Sequence, residues 1–309
     1  MAVRVCVVGC GSLGSVYAAH LARTEGVEVF VYDASPACVD ALKEHGLRID
    51  GAADFSVPVK ATTQPADIPP CDFGLFATKS LHTASAIEQT AHVFGDSSAV
   101  CSVQNGLGNE ELIAQRVKNV ILGTTTMAAH VVAPGSSELE FYGHLWIGPF
   151  EPSGIPYKLV EDFGSLLRRA GLPCVVVPDA RGAQWTKLIF NSAVNAVGGL
   201  ARLHHGAAVR FPPTGDLLEA ILREGEAVAA ALGIALHGDP RTMLAEGAAA
   251  PVKRFPSMAQ DVFAGRQTEV DFLNGAIADA GEAAGVPVPV NRTMWQLMKG
   301  LEHSWSDPA

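Results

Sequence analysis

A lysine and two asparagines stand four residues apart in the segment WTKLIFNSAVN, at Lys187, Asn191 and Asn195. Residues at this spacing share one face of an α-helix, so a helical segment would align the three side chains in a stripe. The other positions are largely apolar, and the stripe is costly to bury unless it faces a polar ligand. The spacing therefore indicates a site for a polar small molecule, and a solvated helix face is the alternative.

A second group of residues with possible chemistry is the glycine loop GCGSLG, in which Gly9, Gly11 and Gly14 follow an apolar strand and open a helix. That context is the one in which GxGxxG binds a dinucleotide. The first glycine permits the tight turn, the second lets the pyrophosphate approach the backbone, and the third lets helix and strand pack closely. The free N–H groups at the start of the helix, including those of Ser12 and Leu13, would bind the phosphates.

The next predicted strand, Val27–Tyr32, is followed by Asp33, about 20 residues beyond the glycines. A carboxylate at this place can accept hydrogen bonds from both hydroxyls of the adenosine ribose and would repel a 2′-phosphate. No Arg or Lys lies between Asp33 and Asp40. We therefore expect NAD(H) to be preferred, with NADP(H) possible. Capping of the following helix is the alternative role for Asp33.

Two more polar side chains follow predicted strands of the same sheet. Lys79 comes after the strand at 73–78, and Asn105 comes after the strand at 98–103. Ligands of open parallel sheets bind beyond the carboxyl ends of the strands, so both residues are candidates for the cofactor site. The alternative for Asn105 and Gly106 is an ordinary turn.

In the second half of the chain, the segment PSMAQDVFAGRQTEVDFLNG carries Ser257 and Glu269 among several other polar residues. Apolar residues recur in this segment at a spacing that predicts a helix. On composition alone, most of its polar side chains would lie at the surface. Their occurrence together with the stripe that contains Lys187 makes Ser257 and Glu269 candidate site residues.

The elements that must position these residues divide the chain into two parts. Strands and helices alternate from residue 1 to residue 178, which predicts an α/β, doubly wound parallel sheet of the Rossmann dinucleotide-binding type. The turn-rich segment HVVAPGSSELEFYGHLWIG is expected to close this domain with antiparallel strands. Residues 179–309 have helical periodicity and almost no strand pattern, which predicts a mainly α-helical C-terminal domain that binds the substrate. Residues 202–216 are expected to form a loop beside the site.

Charge and composition exclude several classes of protein. The formal net charge is −10 and no block of Lys or Arg occurs, so neither a nucleic acid nor a membrane surface is an expected partner. The start of the chain does not resemble a signal peptide, and no apolar run is long enough for a membrane span, so we expect a cytoplasmic protein. The six cysteines show no metal-ligand spacing, so no metal is expected, and most of them sit in apolar runs typical of buried positions.

With these motifs in view, nearly the whole chain resembles the ketopantoate reductase (2-dehydropantoate 2-reductase) family. The resemblance rests on GCGSLG, Lys79, QNGLGN, WTKLIFNSAVN, PSMAQDVFAGRQTEVDFLNGAI and AGVPVPVN. The spacing from Ser257 to Glu269 matches the family pattern without gaps, as does the Lys187, Asn191 and Asn195 ladder.

The resemblance implies roles for individual residues. Lys187 would be the catalytic lysine that hydrogen-bonds the ketone oxygen, with the acid Glu269 close to it and to the cofactor. Lys79 would lie near the reactive end of the cofactor, and Asn105 would contact both the nicotinamide ribose region and the substrate. The substrate's polar groups, including its carboxylate, would be bound by Asn191, Asn195 and Ser257 as well as Asn105.

The implied reaction is hydride transfer between a nicotinamide cofactor and a 2-oxo acid or (R)-2-hydroxy acid. The sequence departs from the family in one place, because typical members use NADPH and lack an acid after the second strand, where this chain has Asp33. This leaves open an NAD-dependent dehydrogenase of another hydroxy acid, either D-mandelate-like or acting on a 3-hydroxy acid. A non-catalytic NAD sensor is a further alternative. The expected partner is the small-molecule substrate, and the apolar helical domain could support a homodimer.

Overall fold

A computed structural model describes residues 2–249 and 255–306 of this chain. The chain forms two compact units. Unit 1 contains the residues up to Gln104 and then Asn109–Ala180, and unit 2 contains Asn105–Gly108 and the residues from Arg181 onward. The domain boundary that the sequence places between residues 178 and 179 stays a prediction. The short segment Asn105–Gly108 belongs to the second unit although it lies within the first in sequence.

Unit 1 is built around an eight-stranded sheet, with strands numbered in chain order through the whole protein and arranged as β12-β11-β8-β7-β6-β1-β2-β5. All neighbours in it are parallel except β8 and β11, which pair antiparallel. Its strands are β1 Val3–Val8, β2 Val27–Tyr32, β5 Lys60–Thr62, β6 Cys71–Phe76, β7 Phe94–Ser102, β8 Val120–Thr125, β11 Leu145–Pro149 and β12 Cys174–Val176.

The alternation of side chains along β1 shows why this sheet is covered on both faces. Val5 and Val7 belong to one apolar cluster, while Cys6 and Val8 belong to another. Successive side chains of a strand point to opposite faces, so a strand that is apolar at every position needs a covering layer on each side. The helices of unit 1 supply these layers: α1 Ser12–Ala22, α2 Pro36–His45, α3 Thr83–Thr90, α4 Asn109–Ala114 and α5 Tyr157–Arg169.

A second, four-stranded sheet in the order β4-β3-β10-β9 packs against α1. Its strands are β3 Leu47–Gly51, β4 Phe55–Val57, β9 Ala128–Ala133 and β10 Ser136–Phe141. The antiparallel pairing expected around β9 and β10 is present. The sequence did not predict that these two strands leave the main sheet and join β3 and β4, which come from a distant part of the chain.

The regular secondary structure among the described residues of unit 2 is entirely helical, so the predicted fold class, an α/β Rossmann domain followed by a mainly helical domain, is confirmed. Its helices are α6 Arg181–Ala201, α7 His205–Arg210, α8 Pro212–Ala231, α9 Pro240–Ala249, α10 Ser257–Phe263, α11 Asn274–Ala284 and α12 Pro289–Ser304. The expectation of a loop over residues 202–216 was wrong. Pro212 starts α8, because a proline in the first helical turn needs no N–H partner. Among the helices of the described residues, none has the length and apolarity of a membrane span.

Candidate functional site

The glycine loop of unit 1 connects β1 to α1, and glycine is favoured at each of its three positions for a different physical reason. Gly9 has a φ of +91°, and a Cβ there would lie 2.8 Å from the backbone nitrogen of Thr78. A Cβ on Gly14 would lie 1.9 Å from the carbonyl oxygen of Gly9. A Cβ on Gly11 would meet nothing within 4 Å. The first and third glycines are therefore required by the fold itself, whereas Gly11 leaves open space at the start of α1, where a phosphate could approach.

Asp33 follows β2 and ties that strand to the glycine loop. The backbone N–H of Cys10 donates to Asp33 Oδ2 at 2.7 Å, and that of Ser35 donates to Oδ1 at 2.9 Å. The hydroxyl of Ser35, and not Asp33, caps α2 by accepting from the N–H of Cys38. Each carboxylate oxygen accepts more than one hydrogen bond, so Asp33 retains acceptor capacity for ribose hydroxyls.

A cavity of about 210 Å³ lies beside Asp33. It is formed by the glycine loop, the start of α2 and the turn between β9 and β10. Among the described residues that line it, Asp33 is the only charged one; the lining consists of Cys10, Gly11, Ser15, Asp33, Ser35, Cys38, Val131, Ala133, Pro134, Gly135 and Ser137. The hydroxyl of Ser137 is buried without a hydrogen-bond partner. The cavity therefore offers a carboxylate and a free hydroxyl to a ligand, and no cation for a phosphate.

Lys79 is exposed in the loop after β6, and the backbone around it is held by a buried polar network within unit 1. The side-chain amide of Gln104 donates to the carbonyl and hydroxyl oxygens of Thr78 and to the hydroxyl of Thr83, at 2.7–3.1 Å. Asn109 accepts from Thr83 at 2.8 Å and donates to Ser80 at 3.2 Å. The sequence motif QNGLGN does not by itself indicate a role for Gln104 or Asn109, because only the fold brings their partners together.

The polar stripe of unit 2 lies on α6, as its spacing predicts, and its first residue is bound to Asn105. The ammonium of Lys187 donates to Asn105 Oδ1 at 2.9 Å. Asn191 Nδ2 lies 3.5 Å from the same oxygen, and Asn105 Nδ2 lies 3.5 Å from Glu269 Oε2. Asn105 therefore stands between the lysine and the acid. Its own segment is anchored to unit 2 by a hydrogen bond from the Leu107 N–H to the carbonyl of Phe272 at 3.1 Å.

Burial decides the electrostatics of Lys187. It lowers the pKa of the ammonium from 10.5 to about 8, although the nearby charge of Glu269 opposes the shift. Glu269 itself is only 5% exposed. A lysine with a pKa of about 8 is mostly protonated at neutral pH and yet gives up its proton far more readily than an ordinary lysine.

Asn195 and Ser257 lie side by side, and the side-chain amide of Asn195 makes its hydrogen bonds within the protein. Asn195 Oδ1 accepts from the hydroxyl of Ser257 at 3.2 Å and from the N–H of Met258 at 3.1 Å. Its Nδ2 donates to the carbonyl of Asn191 at 3.1 Å. Asn195 therefore fixes the start of α10 against α6. Ser257 is exposed and presents its hydroxyl at that junction.

Other polar residues of the same long motif stabilise the fold. Asp261 pairs with Arg266 at 3.0 Å, and Asp271 accepts from Trp295 at 2.7 Å and from Lys299 at 2.9 Å. Within residues 2–249 and 255–306 there is no group of His, Cys, Asp and Glu side chains that could hold a metal ion.

Comparison with known proteins gives consistent matches over nearly the whole chain. The ketopantoate reductase PanE/ApbA family matches residues 5–152, and the C-terminal domain of the same family matches residues 179–302. The chain is 33% identical to the 2-dehydropantoate 2-reductase of Archaeoglobus fulgidus over 299 residues, which is 97% of this chain and 98% of that protein. It is 32% identical to the enzyme of the same name from Pyrococcus abyssi, over 97% of this chain and 98% of that protein.

Solved structures show the same architecture. The PanE/ApbA family ketopantoate reductase from Ralstonia eutropha JMP134 superposes with a TM-score of 0.88 at 30% identity, covering 98% of this chain and 99% of that one. A D-mandelate dehydrogenase bound to NADH and anilino(oxo)acetate gives a TM-score of 0.89, with the same coverage. At 22% identity, this second likeness concerns the fold alone.

Proposed function

Because this chain belongs to the ketopantoate reductase PanE/ApbA family, and is an NAD(P)-dependent oxidoreductase that reduces a 2-oxo acid, we propose that Lys187 is its proton donor. The observation that carries the proposal is the contact of Lys187 with Asn105 at 2.9 Å, with Glu269 on the other side of the same amide. A lysine with a pKa of about 8 next to an amide and a carboxylate supports a role in proton transfer.

A nicotinamide cofactor, when bound, would supply a hydride for the carbonyl carbon of the substrate. As the carbonyl oxygen gains negative charge, the ammonium of Lys187 stabilises that charge and donates a proton to the oxygen. The ammonium of Lys187 has three N–H donors and gives one of them to Asn105 Oδ1, which supports a role in binding a further oxygen acceptor. Glu269 favours the charged form of Lys187, so it keeps the donor protonated near neutral pH.

Substrate binding is proposed for Asn105, Asn191 and Ser257, whose side chains carry donors for the oxygens of a 2-oxo acid. Asn195 acts through Ser257, because its amide oxygen accepts hydrogen bonds from that hydroxyl and from the N–H of Met258 in the first turn of α10. This refines the prediction that all four residues contact the substrate directly. We assign Asn195 to positioning.

Cofactor binding is proposed for unit 1, at Gly9, Gly11, Ser12, Leu13 and Gly14 for the pyrophosphate, with Lys79 nearer the reactive end. At the adenosine ribose we propose that Asp33 selects NAD(H) over NADP(H). The cavity at Asp33 contains no cation that could compensate a 2′-phosphate, and the carboxylate retains acceptor capacity for the 2′- and 3′-hydroxyls.

The substrate proposed first is ketopantoate, in line with the curated relatives. A second candidate is an NAD-dependent dehydrogenase of a bulkier 2-hydroxy acid, because Asp33 departs from the family's usual NADPH use and the D-mandelate dehydrogenase of the same fold binds NADH. Steady-state reduction of a panel of 2-oxo acids with NADH and NADPH distinguishes the two. Ketopantoate should give the highest kcat/KM with NADH, whereas a higher value for an aromatic 2-oxo acid would favour the second candidate. The absence of turnover with every 2-oxo acid would contradict both.

A further inference from the structure

Two cysteines line the cavity beside Asp33 in unit 1. Cys10 lies within the glycine loop and is 6% exposed, and Cys38 lies in the first turn of α2 and is partly buried. Cys38 Sγ approaches the carbonyl oxygen of Cys10 to 3.9 Å, and Cys10 Sγ lies 3.4 Å from the hydroxyl of Ser15. Both cysteines therefore line one cavity, and the Cys38 sulfur contacts the backbone of Cys10, although the residues are 28 positions apart in sequence.

The two thiols differ in reactivity. Hydrogen bonding from Cys10 lowers the pKa of Cys38. The corresponding bond to Cys38 and burial raise the pKa of Cys10. The first turn of a helix adds to this difference, because its free N–H groups and positive end favour a thiolate. Asp33, the only charged residue in the cavity lining, works against both thiolates.

The other cysteines provide an internal contrast. Each of them is buried, and burial raises its pKa: Cys6, Cys71, Cys101 and Cys174. A buried thiol with a raised pKa reacts slowly with a peroxide from solution, so none of these four is expected to start the oxidation. Cys38 is therefore the one cysteine of the chain that combines solvent access, a lowered pKa and a neighbouring thiol.

We propose that Cys10 and Cys38 form an oxidisable dithiol site, which a peroxide converts to a disulfide and which thereby closes the cavity to the cofactor. The Cys38 thiolate attacks one peroxide oxygen, giving a sulfenic acid and releasing the other oxygen as water after protonation. The thiol of Cys10 then attacks the Cys38 sulfur, the disulfide forms and a second water leaves. The two sulfurs lose two electrons in total, and the peroxide gains them. A dithiol reductant reverses the reaction by thiol–disulfide exchange.

The consequence for the cofactor follows from the position of Cys10. Its N–H group donates to Asp33 at 2.7 Å, and it stands between Gly9 and Gly11 in the loop that approaches the pyrophosphate. A disulfide would bring the sulfurs to about 2.05 Å and tether this loop to α2. This part of the inference rests on the proposed cofactor site, whereas formation of the disulfide does not.

The first experiment treats the full chain, reduced and free of cofactor, with hydrogen peroxide and then maps its peptides by mass spectrometry. We expect one cross-linked pair of peptides, containing Cys10 and Cys38, that is two hydrogens lighter than the sum of the reduced peptides. In Cys10→Ser, Cys38 should instead accumulate as a sulfenic acid that dimedone traps. Cys71→Ser is the matched control and should still form the cross-link. A cross-link between other cysteines, or none in the wild-type protein, would overturn the proposal.

The second experiment titrates the oxidised and the re-reduced protein with NADH, followed by the fluorescence of the bound nicotinamide. Oxidation should weaken binding by about tenfold or more, and dithiothreitol should restore it. Excess NADH present during oxidation should slow formation of the cross-link. Equal affinity of the oxidised and reduced proteins would refute closure of the cavity. Failure of the reduced protein to bind NADH would instead count against the proposed cofactor site, which keeps the two results distinguishable.

Discussion

Raising the pH from about 7 to about 9 should slow reduction of the 2-oxo acid about tenfold, because the pKa of Lys187 is about 8. The donor must carry its proton when the substrate's oxygen becomes negative. Over this interval the protonated fraction falls from about nine tenths to about one tenth. If burial did not lower the pKa from 10.5, more than about nine tenths of the lysine would still be protonated at the upper pH.

The assay is kcat/KM for the 2-oxo acid at saturating NADH, measured over the pH range in which the enzyme stays folded. The profile should be flat on the acid side of Lys187's pKa and should fall by a factor of ten per pH unit on the alkaline side. A rate that stays constant beyond pH 9 would refute the assignment. So would an unchanged alkaline break in a Lys187→Arg variant that keeps its activity, because arginine does not lose its proton in this range.

Three further outcomes are expected. Glu269→Gln should lower the pH at which kcat/KM begins to fall, because Glu269 raises the pKa of Lys187. The surface control Glu282→Gln should leave that pH unchanged, and the same result for Glu269→Gln would contradict the assignment. Lys187→Met should stabilise the fold at neutral pH by up to about 3 kcal/mol, less the lost hydrogen bond to Asn105. Lys187 keeps its proton up to about pH 10.5 in the unfolded chain but only up to about pH 8 in the folded protein. The free energy of unfolding of the wild type therefore rises with pH between these two values. The extra stability of Lys187→Met, measured by denaturant unfolding, should disappear over the same interval. Asp33→Asn should lower the ratio of kcat/KM with NADH to kcat/KM with NADPH by about tenfold to a hundredfold, because one charge-assisted hydrogen bond is worth about 1.5–3 kcal/mol. Asp40→Asn, at an exposed position, should leave this ratio unchanged.

The glycine loop and the polar stripe were predictable because local spacing determines them. A strand that ends at Val8 and a helix that starts at Ser12 require the turn that GxGxxG provides, whatever the rest of the chain does. Likewise, a period of four residues places Lys187 and Asn191 on one face of any helix. These features needed no knowledge of distant contacts.

Features that depend on distant contacts were not predictable. Asn105 belongs to unit 2 because its neighbour Leu107 bonds to Phe272, more than half the chain away. The engagement of Asn195 with the start of α10 has the same origin. Nothing in the sequence near Cys10 indicates that a cysteine of α2 meets it, and the lowered pKa of Lys187 results from burial in the folded unit.

The central claim, that Lys187 is the proton donor, is tested most directly by measuring kcat and the NADH dissociation constant of Lys187→Ala together. Lys187 acts on charge that is present mainly in the transition state, so kcat should fall by about a hundredfold or more while NADH binding changes by less than about threefold. Lys299→Ala, which removes a lysine paired with Asp271 in the same unit, should keep a kcat close to that of the wild type. A kcat of Lys187→Ala within a few-fold of the wild-type value would contradict the account.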